Sequence, residues 1–342
     1  MKKKTPISYK NVKPTQEQID RLKPNPVDGI TSFDIDGLVN YIETNHAKNI
    51  ILLIGAGISC AAGIPDFRTP GTGLYYNLQR FKLPNPQSIF SIDFFRKNPQ
   101  PFFELAKETM PGKYKPTFAH YLPVILHRHN LLKRVYTQNI DGLERIAGLP
   151  SDKIVECHGT YYTAHCLKCK KEYDFKDIRN EMEKGQIPKC TACKKGVIKP
   201  DIVFFGEDLP EKFFELSKKD FNDCDLFIII GTSLQVSPVN NLPSFVKKNV
   251  PRILINNEMV NTYNEELKLI LGNDGSEVLS EYFTNPDNFY FKFNHVINTR
   301  DIFLGGDCQK TIYELIKKLG WEDEYAIIVP DEIFKKMEDE MK

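Results

Sequence analysis

The sequence predicts an α/β fold, a doubly wound parallel sheet carrying a small inserted lobe. Three observations predict it. Four apolar bursts, NIILLIGAGIS (49–59), LKRVYTQN (132–139), DLFIIIGTS (225–233) and PRILINNE (251–258), each end in small or polar residues, as buried parallel strands do on reaching a loop. The first burst runs into a glycine-rich turn, GAGISCAAGIPDFR (55–68). Two Cys-x2-Cys pairs interrupt the pattern between the second and third bursts. Ligands of an open parallel sheet bind beyond the carboxyl ends of its strands, so the four endings should meet around one crevice.

Taken in order, residues 1–33 are polar, rich in Lys and Pro, and read as a loosely attached arm. A helix is expected from about Asp34 to Asn45, ahead of the first strand. Residues 70–115, rich in Phe and Pro, read as loops and helices, and with 161–198 they should form the smaller lobe. Residues 259–305 look long and irregular, with NDGSE and TNPDN turn signals and a FYFKF run. The tail beyond Trp321 reads as a short surface helix, EIFKKMEDEMK.

Composition excludes several function classes. The 342 residues, 41% apolar and 27% charged, suit a globular chain with a substantial core. Forty-six basic side chains against 45 acidic ones leave a net charge of +1, too little field to hold nucleic acid or an anionic membrane. The start, MKKKTPISYKNVKPTQEQ, has no apolar run behind its lysines, so neither a secretory signal nor a strong nuclear address is expected. The longest apolar runs, such as LFIIIG (226–231), are too short to cross a bilayer. Four of the eight cysteines fall in Cys-x2-Cys pairs, which suits metal binding in a reducing compartment, cytoplasm or nucleus.

Cys166 and Cys169, then Cys190 and Cys193, have the spacing of a four-thiolate tetrahedral zinc site. Four sulfur ligands leave zinc no open position, so the metal is read as structural. The shell is then full without Cys157, His158 or His165. His165 reads as an exposed bystander, and Cys157 as a small core residue pointing away from His158 along a strand end. Spacing alone leaves His158 open between a hydrogen-bonded structural histidine and a catalytic one.

The glycine turn is equally open. Gly55 and Gly57 suit a tight turn and close approach to a pyrophosphate. However, Cys60 stands where the dinucleotide fingerprint wants glycine, and no clean acidic residue follows at the usual distance. A purely structural turn fits as well. In GIPDFR, Asp66, Phe67 and Arg68 read either as a solvated loop or as an aromatic lid flanked by polar anchors.

GAGIS, GIPDFR, PGTGLY, TQNID, HG, the paired Cys-x2-Cys, KPDIVFFGE and GTSLQVSP occur in this order within about residues 34–322. Together they resemble the sirtuins, the NAD-dependent protein-lysine deacylases. PGTGLY and the closing LGW (319–321) look most like class I eukaryotic, cytosolic-type members. The resemblance implies a catalytic domain over 34–322 with a Rossmann-like large lobe (about 34–69, 116–160 and 199–322). It implies a small lobe made of a helical part (70–115) and a zinc-ribbon module (161–198), then a helical tail (323–342).

It also implies NAD+ as co-substrate, one structural Zn2+, and acetylated lysine-containing proteins or peptides as substrates. By motif, Ala56, Gly57, Ile58, Ser59 and Cys60 would line the NAD pocket, and Asp66, Phe67 and Arg68 would form the cofactor loop, Phe67 shielding the ribose. Gln138, Asn139, Ile140 and Asp141 would hold the nicotinamide ribose and carboxamide, Asn139 counting with His158 as catalytic. Gly231, Thr232 and Ser233, then Asn256, Asn257 and Glu258, would face phosphate and adenosine, with Cys308 beside the adenine. Val203, Phe204, Phe205, Gly206 and Glu207 would take the substrate peptide as an added strand.

In the implied reaction nicotinamide leaves, the acyl oxygen attacks the ribose, and His158 activates a ribose hydroxyl to accept the acyl group, giving O-acetyl-ADP-ribose. Members that remove acidic acyl groups carry a Tyr and an Arg three apart; those places fall near Phe103 and Ala106, which points to acetyl or longer neutral chains. Cys60 departs from the Thr or Ser common at its place. Two other readings stay open, a protein mono-ADP-ribosyltransferase sharing every motif and a non-catalytic zinc-ribbon binding module.

Overall fold

The computed structural model describes residues 10–263, 269–271, 277–279 and 289–342. The TNPDN signal, all of NDGSE but Glu277, and the first nine residues lie outside these. Six parallel strands form the central sheet, in the order Asp301–Gly305, Arg252–Asn256, Leu226–Ile230, Ile50–Ile54, Leu132–Thr137, Ile154–Glu156. Side chains alternate across a strand. Ile50, Leu52 and Ile54 therefore enter one core, while Ile51 and Leu53 enter another on the opposite face. Leu226–Ile230 divides the same way, so an unbroken apolar run is satisfied on both faces.

Helices cover each face. The helix Ile35–Glu43, N-capped by Asp34 through Gly37 N–H, lies within the limits expected from sequence and packs beside Cys308–Lys318. On the other face Phe213 and Phe221 of the helix Glu211–Asp223 pack against the sheet. Along the chain, strands 50–54, 132–137 and 154–156 step outward one way, and 226–230, 252–256 and 301–305 step the other. The reversal falls between Ile50–Ile54 and Leu226–Ile230, and this is where a crevice must open.

A second core unites residues 74–110 with 161–204. Its centre is aromatic: the Phe204 ring lies 5.0 Å from Phe102, 5.3 Å from Phe95 and 5.9 Å from Phe90. A three-stranded antiparallel sheet, Glu172–Asp174, Gly159–Cys166 and Ile198–Ile202, carries the cysteine turns at its end.

Several expectations need correction. The helix that a strand-ending glycine turn is expected to open is of the 3-10 type, Ala56–Ala62, and stops at Gly63 in the left-handed region (φ 90°). The sheet gains two strands, the short Ile154–Glu156 and Asp301–Gly305, beyond the four expected. Asp301 hides the second of these from a hydropathy reading, because the charge is buried against Arg252 at 2.7 Å. The arm is less loose than its composition suggests: Lys10–Val12 pairs with Leu269–Leu271, Val27 N–H donates to Thr299 O, and Ile30 is buried. The tail is docked as well as exposed. It forms Glu322–Ile328 and Asp331–Met341, with Tyr325 fully buried and its hydroxyl donating to Phe118 O at 2.7 Å.

Candidate active site

The strand endings meet around a cavity of about 910 Å³ lined by Gly55, Gln138, Gly231 and Asn256 among others. Two loops close tightly at its floor. Gly55 N–H donates to Ile230 O (3.0 Å) and Gly57 N–H to Gly231 O (2.9 Å). A Cβ on Gly55 would stand 2.6 Å from Gly231 O, and one on Gly57 would stand 2.8 Å from Gly231 Cα. Loop-to-loop contact thus demands both glycines in the absence of any ligand.

Most residues singled out from sequence line this cavity: Ala56, Gly57, Cys60, Asp66, Phe67, Arg68, Gln138, Asn139, Ile140, His158, Val203, Phe204, Phe205, Gly206, Glu207, Gly231, Thr232, Ser233, Asn256, Asn257, Glu258 and Cys308. Ile58, Ser59 and Asp141 do not. Ile58 belongs to the core of the large sheet, because the tight 3-10 turn points it inward. Ser59 donates to Asp141 Oδ2 (2.7 Å), receives Asn139 Nδ2 (3.3 Å) and lies 3.4 Å from His120 Nε2. These groups form a buried polar layer behind the wall that Asn139 presents. Burial raises the pKa of Asp141, lifts Glu144 to about 8 with help from the Asp141 charge, and drops His120 to about 3.

His158 Nδ1 lies 2.9 Å from Gln138 O. A carbonyl only accepts, so Nδ1 carries the proton and Nε2 holds a lone pair. Nε2 is buried and has no partner among the described residues. Burial lowers the His158 pKa below 6.5, partly opposed by the bond to Gln138 O. The arrangement is a neutral imidazole with its basic nitrogen unengaged in a cleft. Cys157, next to it, is fully buried in the opposite core, as expected. His165 is more than a bystander: its Nδ1 meets Asp201 at 2.8 Å, and the same carboxylate takes the Thr163 hydroxyl.

Asp66 serves its own loop, accepting Arg68 N–H and Thr69 N–H at 3.0 and 2.8 Å and bonding the Thr69 hydroxyl. That turn holds Phe67 against Tyr75 and Phe90, with ring centroids 5.7 and 6.1 Å away. The opposite wall is largely paired already. Val203 N–H donates to His158 O, Phe205 N–H to Phe90 O, Ile92 N–H to Phe205 O, and Phe204 N–H to Glu207 Oε2. Among the described residues the Val203 carbonyl and the Gly206 main chain take no part in these bonds. Phe103 and Ala106 are buried in the small-lobe core and do not line the cavity.

The four cysteines converge as their spacing requires. Their ligand atoms lie within 4.8 Å of one another, with Cys166–Cys193 at 3.7 Å and Cys169–Cys190 at 3.5 Å. A tetrahedral ion with zinc–sulfur bonds of about 2.3 Å places sulfurs about 3.8 Å apart. Cys193 N–H and the Tyr173 hydroxyl favour the Cys190 thiolate, drawing its pKa to about 5. The set fits one zinc ion with no site left for water.

With this geometry in place, comparison with known proteins is decisive. A Sir2 family model matches residues 55–238. The chain belongs to the Sir2 family. It is 46% identical over 297 residues to the NAD-dependent deacetylase sir2A of Dictyostelium discoideum, covering 86% of this chain and 53% of that one. It is 45% identical over 305 residues to the NAD-dependent protein deacetylase sirtuin-2 of Danio rerio, covering 89% and 76%. It is 41% identical over 299 residues to the NAD-dependent protein deacetylase hst2 of Schizosaccharomyces pombe, covering 87% and 80%. The chain thus spans about half of the first relative and over three quarters of the other two.

The Sir2 match runs from the glycine turn to Pro238 and so takes in the small lobe and the cysteine quartet. Asn256, Asn257, Glu258 and Cys308 reach the cleft from beyond it. Gln235, Val236 and Ser237, which stand within GTSLQVSP but were not singled out from sequence, also line the cavity, as do the apolar residues Tyr75, Phe90 and Leu209. The repeated Phe and Pro of 70–115 were the available signal for Phe90. Among the described residues no helix is long and apolar enough to cross a membrane.

Proposed function

We propose that this chain is an NAD-dependent protein-lysine deacetylase. The observation that carries the reading is His158, a neutral imidazole in the crevice of a Sir2-family chain, its tautomer set by Gln138 O and its Nε2 unengaged. The cavity, at about 910 Å³, is large enough for a dinucleotide together with an acyl-lysine side chain. Bound NAD+ supplies a glycosidic bond whose cleavage releases nicotinamide and activates the ribose toward the acyl oxygen.

The chain's own residues do the rest. The Gly55–Cys60 turn and Gly231–Ser233 present the cofactor floor, with Asn256, Asn257, Glu258 and Cys308 at one end and Gln138, Asn139 and Ile140 at the other. Ser59 and Asp141 act from behind, by fixing Asn139. Phe67, braced by Tyr75 and Phe90, excludes water from the reacting face. His158 Nε2 accepts the proton of the hydroxyl that takes the acyl group. The Val203–Glu207 wall receives the acylated peptide, and Cys166, Cys169, Cys190 and Cys193 would hold a zinc ion that braces the lobe carrying this wall. Apolar side chains that line the cavity, Phe67, Phe90, Phe204 and Leu209, favour a neutral acyl group. Thiolate zinc ligands suit a reducing compartment, cytoplasm or nucleus.

The test is incubation with NAD+ and an acetyl-lysine peptide. Nicotinamide, free lysine peptide and O-acetyl-ADP-ribose are expected in equal amounts. Nicotinamide release with ADP-ribose on a protein acceptor and no deacetylated peptide would establish a mono-ADP-ribosyltransferase instead. No nicotinamide release at all would leave a binding module.

A further inference from the structure

Lys199 is buried, 5% exposed, at the start of the segment that becomes the substrate wall. Its ammonium donates to Ile202 O (2.6 Å) and Pro200 O (3.2 Å), pairs with Glu207 Oε2 (2.8 Å) and sits 4.2 Å from the centre of the Phe204 ring. The same Glu207 oxygen accepts Phe204 N–H at 2.9 Å. One cation and one carboxylate therefore gather the carbonyls before the bend, the amide within it and the ring that anchors it.

A buried ammonium costs free energy unless fully paired, and an apolar side chain of similar length would fill the space with less penalty. What the ion pair adds over packing is direction, since its bonds set where each backbone group points. Val203, Phe205, Gly206 and Glu207 line the cleft on one side of this knot, and Phe204, which also borders the cleft, is buried in the aromatic core on the other. Glu207, expected from motif to touch substrate, spends its carboxylate inside the loop.

We infer that Lys199 and Glu207 are positioning residues, an internal ion-pair latch that holds Val203–Gly206 in the form that receives the acylated peptide. The inference rests on the deacetylase reading. It concerns the peptide side of the reaction and leaves NAD+ binding and the His158 tautomer untouched, because the latter is held by Gln138 O on the large sheet.

The experiment compares the full chain with Lys199→Met, Glu207→Gln and the double variant Lys199→Met/Glu207→Leu, using acetyl-lysine peptide and NAD+ and reading KM for each substrate, kcat, the pH profile and Tm. Lys199→Met is expected to raise the peptide KM by roughly tenfold or more, with the NAD+ KM and the acid limb of the pH profile unchanged. Glu207→Gln, which keeps an acceptor for Phe204 N–H, should fall between. The double variant should regain Tm by packing without regaining the peptide KM. Three results would overturn the latch: a normal peptide KM in Lys199→Met, a peptide KM restored along with Tm in the double variant, or equal losses for both substrates in Glu207→Gln at normal Tm. Failure of the deacetylase reading itself would show separately, as absent peptide-dependent nicotinamide release in the unaltered chain.

Discussion

The Nδ1 proton of His158 is committed to the main-chain oxygen of Gln138, 2.9 Å away, so the nitrogen left for chemistry is Nε2. Gln138 follows directly on the strand Leu132–Thr137 and donates its side-chain amide to Thr232 Oγ1 at 2.9 Å, which ties this residue to the ends of the two strands that flank Ile50–Ile54.

His158→Ala should reduce kcat by roughly 10²- to 10⁴-fold with small effects on either KM, as expected for loss of a general base. In the unaltered chain kcat/KM should show an acid limb set by a group titrating below 6.5, because burial depresses this histidine. The reactive form is neutral, so activity is held above that pKa and lost as pH falls through it. A pH–rate profile of both proteins checks the point.

His120 makes a separate stability prediction. Its folded pKa is near 3, against 6.5 for the free side chain. Between these values the unfolded chain binds a proton that the folded chain refuses. Stability is therefore full above about pH 6.5 and is lost as pH falls toward 3, at up to about 1.4 kcal/mol per pH unit. His120→Asn should flatten this limb in urea midpoints measured from pH 7 to pH 4.

Gly55→Ala places a Cβ 2.6 Å from both Gly231 O and Thr232 Cβ. The two loops must part, and a loss of about 1–3 kcal/mol is expected. The same movement should raise the KM for NAD+ more than that for peptide, measured by initial rates beside thermal unfolding.

Cys190→Ala removes a ligand whose thiolate Cys193 N–H and Tyr173 stabilise. Bound zinc, measured by elemental analysis, should fall from about one per chain toward zero. Peptide-dependent turnover should fall with it, because the cysteine turns and the Ile198–Ile202 strand share the small-lobe core with Phe204. Chelator treatment of the unaltered chain should follow the same course, and zinc should reverse it.

Arg252→Met strands the Asp301 carboxylate, now held at 2.7 and 2.8 Å in a site where both partners are almost wholly buried. Burial would raise the Asp301 pKa, yet Arg252 and Arg300 hold it below its ordinary value. Losing one partner of such a pair should remove about 3–5 kcal/mol. The double variant Arg252→Met/Asp301→Leu should recover part of it in chemical denaturation.

Legibility followed burial. The strands Ile50–Ile54, Leu226–Ile230 and Arg252–Asn256 announced themselves because both faces are covered and the apolar run is nearly continuous. Ile154–Glu156 is too short for a periodic signal, and Asp301–Gly305 opens on a charge that only its pairing explains. The cysteine quartet was legible because metal geometry constrains sequence spacing. The inward turn of Ile58, Ser59 and Asp141 was not, since adjacency in a motif does not state which side of a tight turn a residue takes. Spacing leaves Gly55 and Gly57 open between phosphate approach and a purely structural turn, and the nearer demand is Gly231. Lys199 and Glu207 lie eight residues apart in KPDIVFFGE, and nothing in that string shows that they meet.

His158 is also held at its other end. Its side chain answers to Gln138 on the large sheet, while its carbonyl oxygen accepts the N–H of Val203, 2.8 Å away on the wall the small lobe supplies. His158 thus joins two separately packed cores, by its side chain to one and by its main chain to the other. A shift of the wall would load the main chain of His158 first, while its ring stays tied to Gln138 O.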